Sequence, residues 1–413
     1  MTAAIPSVRF TFLLVLVVAT AAGQNIAPSQ ESPVDGLVSR ILRLIDQRDS
    51  GAAEDLVREY WRLLDQKLDG VLADIDRDFD ELGRQKARSD MLEKKFDQLN
   101  ADLSRYDELF QIHSKVTGKL RLRTRLRAKR LRIEGAEHTT RADLLWDNLD
   151  YDGALREYAN AVKSLQSAIP LARSVDDQKL VASCLNNIGY AEIYSGEPER
   201  GIGRYFNSLR IADQRRDDVY RGLYLLNLGT AFLYTGKPQD SLQYSVQAVE
   251  MTQKTGRKTW EANAFLNLGS AYLSLGRLEE AKGYLEKAWE KSEEANDRRS
   301  RGRVLYNQAL LAASLGQHGK SAHLMEEALG WYVENEEIYS KAEQTVIQYH
   351  ALNFLRSAYQ RLGDEEKAKH YAAKAKDFVN RDPKKVTAYL SDPHLNAHKS
   401  RTQDRTRVQK KPL

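Results

Sequence analysis

The sequence predicts an all-α protein, an α-solenoid of about six helical hairpins stacked in a right-handed superhelix. Apolar residues recur at i, i+3 and i+7, as in Leu225, Leu228 and Phe232, which is the spacing of one buried helix face. Two residue types also recur every 40 positions: Asn187, Asn227, Asn267 and Asn307, and Gly196, Gly236, Gly276 and Gly316. A constant offset over four copies indicates a structural repeat.

Each copy is expected to contain two helices. The recurring glycine ends the first helix, because a residue just past a helix end often has a left-handed conformation that glycine adopts without steric cost. Pro198 and Pro238 then open the second helix, where the missing N–H of proline does no harm. Small residues in the second helix should let two helices approach closely; they are Gly201, Ser241, Ala281, Ser321, Ser208, Ala248, Ala288 and Ala328.

Residues 265–288, FLNLGSAYLSLGRLEEAKGYLEKA, resemble a tetratricopeptide repeat. The resemblance rests on the Leu268-Gly269 pair, Tyr272, the loop residue Gly276 and two small residues seven apart in the second helix. The usual unit has about 34 residues, and a step of 40 resembles the longer-helix variant of kinesin-light-chain-like arrays. The resemblance implies a concave channel that grips the backbone of an extended peptide.

The residues expected to line that channel form one stripe on the first helices. Asparagine amides both donate and accept hydrogen bonds, as a peptide backbone requires, and tyrosines add contact area. The predicted partner-binding residues are Asn187, Tyr190, Tyr194, Asn227, Thr230, Tyr234, Asn267, Ser270 and Asn307. The alternative is that the asparagines cap or bridge neighbouring helices.

The array is predicted to occupy residues 137–380, with atypical repeats at both ends. The leading repeat, around Ala154, and the closing repeat, around Gly363, each stand 47 residues from their counterparts Gly201 and Gly316. Terminal units cover a neighbour on one side only, so they are expected to differ from the middle.

Residues 1–23 have the order of a secretory signal peptide. Arg9 precedes an apolar run at residues 10–18, and small residues follow at 19–23. An uncleaved anchor is the alternative. We therefore expect an exported protein, periplasmic or secreted, with a bacterial source favoured. Residues 24–33 are predicted to be a flexible leader.

Residues 34–136 are predicted to be helical and coiled-coil-like, because apolar residues alternate at steps of three and four. One block begins at Leu68 and ends at Leu82, and the next begins at Leu92 and ends at Phe110. These apolar residues form a stripe along each helix, here called the seam, which must pack against a partner helix. Self-packing in an antiparallel hairpin is favoured, and oligomerisation through an intermolecular coiled coil stays open.

Two segments are strongly basic. Residues 119–132 carry eight cationic side chains and no acid, and the predicted tail at 381–413 carries eight cations from Lys384 onward against Asp392 and Asp404. For residues 119–132 we favour a solvated helix paired with acids such as Asp74, over an anionic partner. Nucleic acid is not expected at residues 119–132, because an exported protein seldom meets it and interleaved aromatic residues are absent. The tail either contacts a membrane surface, a polymer or an acidic protein, or is a solubilising end.

The sequence contains no motif for catalysis, a cofactor or a metal, so we predict a protein that is not an enzyme. The single cysteine, Cys184, excludes an internal disulfide and is expected to be a buried apolar residue. The predicted function is an exported scaffold that binds an extended segment of another protein. The alternatives are an assembly protein that oligomerises through residues 34–136, or surface binding to anionic lipid or polymer through the basic segments.

Overall fold

A computed structural model describes residues 33–82, 89–147, 150–339 and 341–381. Within these ranges the chain is helical and contains no β-strand, as the sequence predicts. The helices are α1 (Pro33–Asp46), α2 (Ser50–Leu82), α3 (Ser89–Thr117), α4 (Arg121–Asp147), α5 (Tyr151–Ser174), α6 (Gln178–Tyr194), α7 (Pro198–Arg215), α8 (Asp218–Tyr234), α9 (Pro238–Lys254), α10 (Lys258–Ser274), α11 (Leu278–Glu294), α12 (Arg298–Ser314), α13 (His318–Glu334), α14 (Lys341–Leu362) and α15 (Glu365–Arg381), with a short 3-10 helix (Glu336–Ile338) before α14.

The described chain divides into two compact units. The N-terminal unit comprises residues 33–141 and 157–191, and the repeat unit comprises residues 142–156 and 192–381. The domain boundary predicted at residue 136 falls inside α4. The predicted signal peptide and most of the predicted leader and tail lie outside the described residues.

The N-terminal unit is built on α1, α2 and α3, which pack on one another. The seam residues predicted from the sequence meet in its core, including Leu68, Leu72, Phe96 and Phe110. Burial of such side chains contributes about 1.5–3 kcal/mol each, which is the main force that joins these helices. The helices therefore pack within the chain, and pairing between copies stays a prediction.

Basic residues in the connection before α4 and in the first half of α4 pair with acids of the N-terminal unit. Partners are close enough for ion pairs in each case: Lys119 with Asp65, Arg125 with Asp69 at 2.5 Å and with Asp177 at 3.5 Å, and Arg130 with Asp107 at 3.4 Å. Partly exposed pairs of this kind contribute about 0–1 kcal/mol each. The acids are thus spread over several helices, and pairing with Asp74 stays a prediction.

In the repeat unit, helices that follow one another in the chain pack against one another from α7 to α15. The predicted glycines end each first helix with a left-handed backbone: φ is 96° at Gly196 and 70–74° at Gly236, Gly276 and Gly316. Pro198 opens α7 in its first turn, and proline opens α9 in the same way. These turns are set by local residue chemistry, as predicted.

A second left-handed turn separates each second helix from the next first helix. Its residue has a φ of 55° at Arg216, 67° at Gly256 and 49° at Asn296. The following residue caps the next helix where it is an aspartate: Asp217 accepts a hydrogen bond from the Tyr220 backbone N–H at 3.3 Å. This turn also recurs every 40 residues, although only one copy uses glycine.

The two helices of a hairpin meet at a pair of residues twelve positions apart, here called the hairpin pair. The pair is an ion pair in one hairpin and a stack of two rings in three others: Glu192 with Arg204 at 3.0 Å, Phe232 with Tyr244 at 5.3 Å between ring centroids, Tyr272 with Tyr284 at 5.3 Å, and Tyr359 with Tyr371 at 5.7 Å. Stacked aromatic pairs contribute about 0.5–1.5 kcal/mol beyond the area they bury. Different residue types thus join the two helices at one shared position.

Small residues allow the helices to approach closely, as the sequence predicts. The small positions of the second helices are buried, and a side chain on Gly269 of α10 would meet Leu285 of α11 at 2.7 Å. Between first helices, a side chain on Gly229 of α8 would lie 3.4 Å from Asn267 Nδ2 on α10. The missing side chain at residue 229 therefore leaves room for a stripe asparagine.

Candidate partner-binding stripe

The stripe predicted to bind a partner lies on consecutive first helices, but its members differ in burial. Asn187 and Tyr190, on the part of α6 in the N-terminal unit, are 1% and 4% exposed. In the repeat unit, Asn267 is 2% exposed and Asn307 is 4% exposed, whereas Asn227 is half-buried. Burial at this level means that most of the asparagine amides contact protein atoms.

Asn267 of α10 is hydrogen-bonded to the preceding first helix. Its Nδ2 donates to the Thr230 Oγ1 at 2.9 Å and lies 3.5 Å from the Leu226 carbonyl oxygen, both on α8. A typical net contribution of one such bond is about 1 kcal/mol. In this structure Asn267 therefore joins two repeats.

Asn307 of α12 is satisfied by a similar network. Its Nδ2 donates to the Arg303 carbonyl oxygen at 2.8 Å, and its Oδ1 accepts from the Ser270 hydroxyl at 3.2 Å. One turn earlier, Arg303 Nη1 donates to Asn263 Oδ1 at 3.0 Å across the same two helices. We call these contacts between α8, α10 and α12 the inter-repeat polar ladder.

Asn187 is the stripe asparagine of the N-terminal unit. Its Oδ1 accepts from Asn186 Nδ2 at 3.3 Å, while its buried Nδ2 has no hydrogen-bond acceptor among the residues that the structure describes. Thus Asn267 and Asn307 match the bridging alternative of the sequence analysis, and Asn187 differs from both. Whether any member of the stripe binds a partner stays a prediction.

The more accessible members of the stripe lie at the later turns of the first helices. Thr230, Tyr234 and Ser270 are half-buried, and Ser274 is exposed at the position equivalent to Tyr234. The ring of Tyr234 lies 6.0 Å from that of Tyr194, between centroids. This part of the stripe, together with Asn227, is uncharged and presents hydroxyl, amide and aromatic groups.

The Asn263–Arg303 contact was missed by the sequence analysis. The 40-residue step could have predicted it, since Asn263 and Arg303 occupy equivalent positions in adjacent repeats. Their different chemical types concealed the relation, because the repeat is recognised by residues of the same or similar type.

Among the described residues, neither the cysteine nor a cluster of metal-binding side chains indicates a second site. Burial raises the pKa of the Cys184 thiol to about 12, so the sulfur remains protonated and unreactive at neutral pH. No group of three or more His, Cys, Asp or Glu side chains in the described part could hold a metal ion. Among the same residues, no helix combines the length and hydropathy needed to cross a bilayer.

Comparison with known proteins identifies the repeats. The family model described as "Tetratricopeptide repeat" matches residues 260–332, from α10 to α13. Residues 260–332 are tetratricopeptide repeats. The matched region contains residues 265–288, on which the resemblance was based, so that prediction is confirmed. No curated protein matches the chain.

Several solved structures are similar to this chain at low sequence identity. A signal transduction ATPase with numerous domains and a tetratricopeptide repeat sensor, from Pyrococcus horikoshii, is 16% identical, with 89% of this chain and 52% of that chain covered and a TM-score of 0.50. BtubC (BKLC) from P. vanneervenii is 18% identical, with 55% and 92% covered and a TM-score of 0.47. A Rap protein complexed with competence and sporulation factor is 13% identical, with 86% and 100% covered and a TM-score of 0.46. The consecutive packed helices of the described residues and the similarity to the tetratricopeptide repeat sensor confirm the fold predicted from the sequence.

Proposed function

We propose that the protein is a non-enzymatic interaction scaffold whose repeat unit binds an extended segment of another protein. The proposal rests on the accessible part of the stripe, where Asn227 and Tyr234 lie half-buried on α8 and Ser274 is exposed on α10 at the position equivalent to Tyr234. Side chains of this kind hydrogen-bond a peptide backbone and make few demands on its sequence.

The inter-repeat polar ladder gives the buried asparagines a separate part in this proposal. Asn267 and Asn307 hold neighbouring first helices in register through their hydrogen bonds, so that the accessible groups beside them are fixed before a partner arrives. Ordering binding groups in advance lowers the entropic cost of association. Binding itself is then assigned to Asn227 and the later turns.

The proposed site is tested by photocrosslinking from defined positions. A benzoylphenylalanine placed at Ser274, which is exposed on the stripe, should crosslink an extended segment of a partner in the native host. A matched probe at Glu286, exposed on the second helix α11, should not crosslink that segment. Equal crosslinking from both positions would place the partner elsewhere.

The crosslinked segment is then synthesised and its affinity measured by calorimetry. Asn227→Ala should weaken binding by roughly 5–30-fold, because one or two hydrogen bonds worth about 1–2 kcal/mol are lost. Gln243→Ala, an exposed change on α9, is the matched control and should leave the affinity unaltered. Identical affinity in the Asn227 variant would contradict the proposal.

We further propose export of the protein, which rests on the charge, apolar run and small residues of positions 1–23. Mass spectrometry of the protein from its native host tests this directly. We expect a mature chain that begins near Gln24. A chain that retains Met1 and stays in the cytosol would contradict it.

A further inference from the structure

A buried histidine lies beside a carboxylate in the N-terminal unit. His113 of α3 is 1% exposed, and its Nε2 lies 3.0 Å from Asp65 Oδ1 on α2. Both atoms are buried, and neither makes a hydrogen bond of good geometry with a described residue. The two atoms are therefore within hydrogen-bonding distance of each other but poorly aligned.

The other carboxylate oxygen is held by a lysine from the connection between α3 and α4. Lys119 Nζ bonds Asp65 Oδ2, and the same ammonium lies 4.5 Å from the centroid of the Trp61 ring. Trp61 precedes Asp65 by one helical turn on α2. One side chain of the connection thus contacts two successive turns of α2.

The surroundings of His113 favour its neutral form at neutral pH. Burial lowers the pKa of His113 below its ordinary value; Asp65 opposes this shift, and Lys119 reinforces it. These two residues are the charged groups that bear on the pKa of His113, one from α2 and one from the connection. On α3 itself the nearby Lys115 is paired with Glu54 of α2.

Acidification changes the charge balance at this point. Protonated His113 would place a second cation beside Asp65, in competition with Lys119 for one carboxylate. A buried cation is costly unless it is paired or hydrated. Opening the connection would remove Lys119 from Asp65 and let water reach the protonated His113. The connection is free to move outward, because the Lys119 side chain is half-exposed and Leu120 is 63% exposed.

We propose that His113, Asp65 and Lys119 form a pH-sensitive latch. At neutral pH the latch holds the connection between α3 and α4 against α2, and protonation of His113 releases Lys119 and opens the connection. Gly118, with a φ of 70°, lies between His113 and Lys119 in the chain and has open space around it. It is the point in the connection where the backbone turns at least steric cost.

The sign of the effect follows from proton linkage. Because the open state binds the proton more tightly than the closed state, closure is fully favoured above the ordinary histidine pKa of about 6.5 and weakens as the pH falls below it. One coupled proton gives an opening equilibrium that rises by at most about tenfold per pH unit until the lowered pKa is reached.

Amide hydrogen exchange of the full chain tests the latch. After correction for intrinsic rates, protection of residues 117–121 should fall several-fold between pH 7.5 and pH 5.5. His113→Gln removes the titrating group and should abolish that pH dependence. Identical protection at both pH values, or an unchanged response in the variant, would overturn the proposal.

Two further variants test whether the pH response comes from His113 and Lys119. His138→Gln, which changes a half-buried histidine paired with Glu157 elsewhere in the unit, should leave the response at residues 117–121 intact. Lys119→Gln should lower protection already at pH 7.5. Should His113→Gln fail to fold, NMR titration of the His113 ring in the unsubstituted protein decides the matter, since a pKa at or above 6.5 would refute the latch.

Discussion

Two buried serines at equivalent positions provide a matched test of the hydrogen bonding inside the repeats. Ser321 of α13 donates from Oγ to the Ala309 carbonyl oxygen of α12 at 2.8 Å. Ser241 of α9, 80 residues earlier, is equally buried, but its hydroxyl has no hydrogen-bond partner in the part of the chain that the structure describes. The third equivalent residue is Ala281, which shows that alanine fits the position.

The two serine-to-alanine changes should therefore have opposite signs. Ser321→Ala loses one buried hydrogen bond and should lower the free energy of unfolding by about 1 kcal/mol. Ser241→Ala removes a buried hydroxyl that is desolvated without compensation, and should raise the free energy of unfolding by about 1 kcal/mol. The void left by the oxygen is common to both variants, so it cancels in the comparison.

Urea unfolding followed by circular dichroism measures this difference of about 2 kcal/mol. At roughly 2–4 °C per kcal/mol for a chain segment of 150–250 residues, the melting temperatures should differ by about 4–8 °C. The double variant should show the sum of the two effects, because the sites lie two hairpins apart. Equal destabilisation by both changes would show that Ser241 is hydrogen-bonded after all and would refute the reasoning.

Three other outcomes are expected. Gly256→Ala should destabilise the protein by about 1 kcal/mol because φ is 67° there, whereas Gly256→Asn should cost less, since Asn296 adopts the same turn; thermal melts compare the two. Cys184 should resist iodoacetamide at pH 8 in the folded protein and react after unfolding, as mass spectrometry would show. Tyr371→Phe should lower the free energy of unfolding by about 1.5 kcal/mol because its hydroxyl donates to Glu326 at 2.7 Å; an unchanged urea midpoint would contradict this.

The first set of turns was predictable from the sequence because each depends on one residue type. Gly196 and its equivalents stand where a left-handed residue must follow a helix, and nothing but glycine occurs there in four copies. The second set was not recognised. Arg216 and Asn296 adopt left-handed conformations in spite of a cost of roughly 1–2 kcal/mol, which the packing of the adjoining helices offsets.

The stripe shows a different limit of sequence reasoning. The 40-residue step correctly places Asn267 and Asn307 at equivalent positions on the first helices. Their burial depends on the distance between those helices; at Asn267, a side chain on Gly229 of the preceding first helix would lie only 3.4 Å from Nδ2. A local sequence pattern does not contain that distance, so the sequence left open whether the asparagines bind a partner or bridge neighbouring helices. The structure shows hydrogen bonds from Asn267 and Asn307 to neighbouring repeats.

In the N-terminal unit, the sequence predicted the core but not the ion pairs. Its apolar seam predicts which side chains enter the core, and Leu68 and Phe110 do so. The acids that meet the basic start of α4 were not predictable, because Asp65 and Asp177 are far apart in sequence and reach α4 through the fold. Ion-pair partners of this type depend on tertiary contacts.

The hairpin pair has a consequence for how such a chain can change over time. Both members lie within one hairpin, twelve residues apart. For Tyr272 and Tyr284 the neighbouring ring, that of Phe265, belongs to the same hairpin, so a compensating second substitution can arise there without involving another repeat. Phe232 and Tyr244 differ, because the ring of Phe206 in the preceding hairpin lies close to both. Grafting Tyr272 and Tyr284 together into another hairpin should therefore preserve its closure, where grafting either one alone disrupts it.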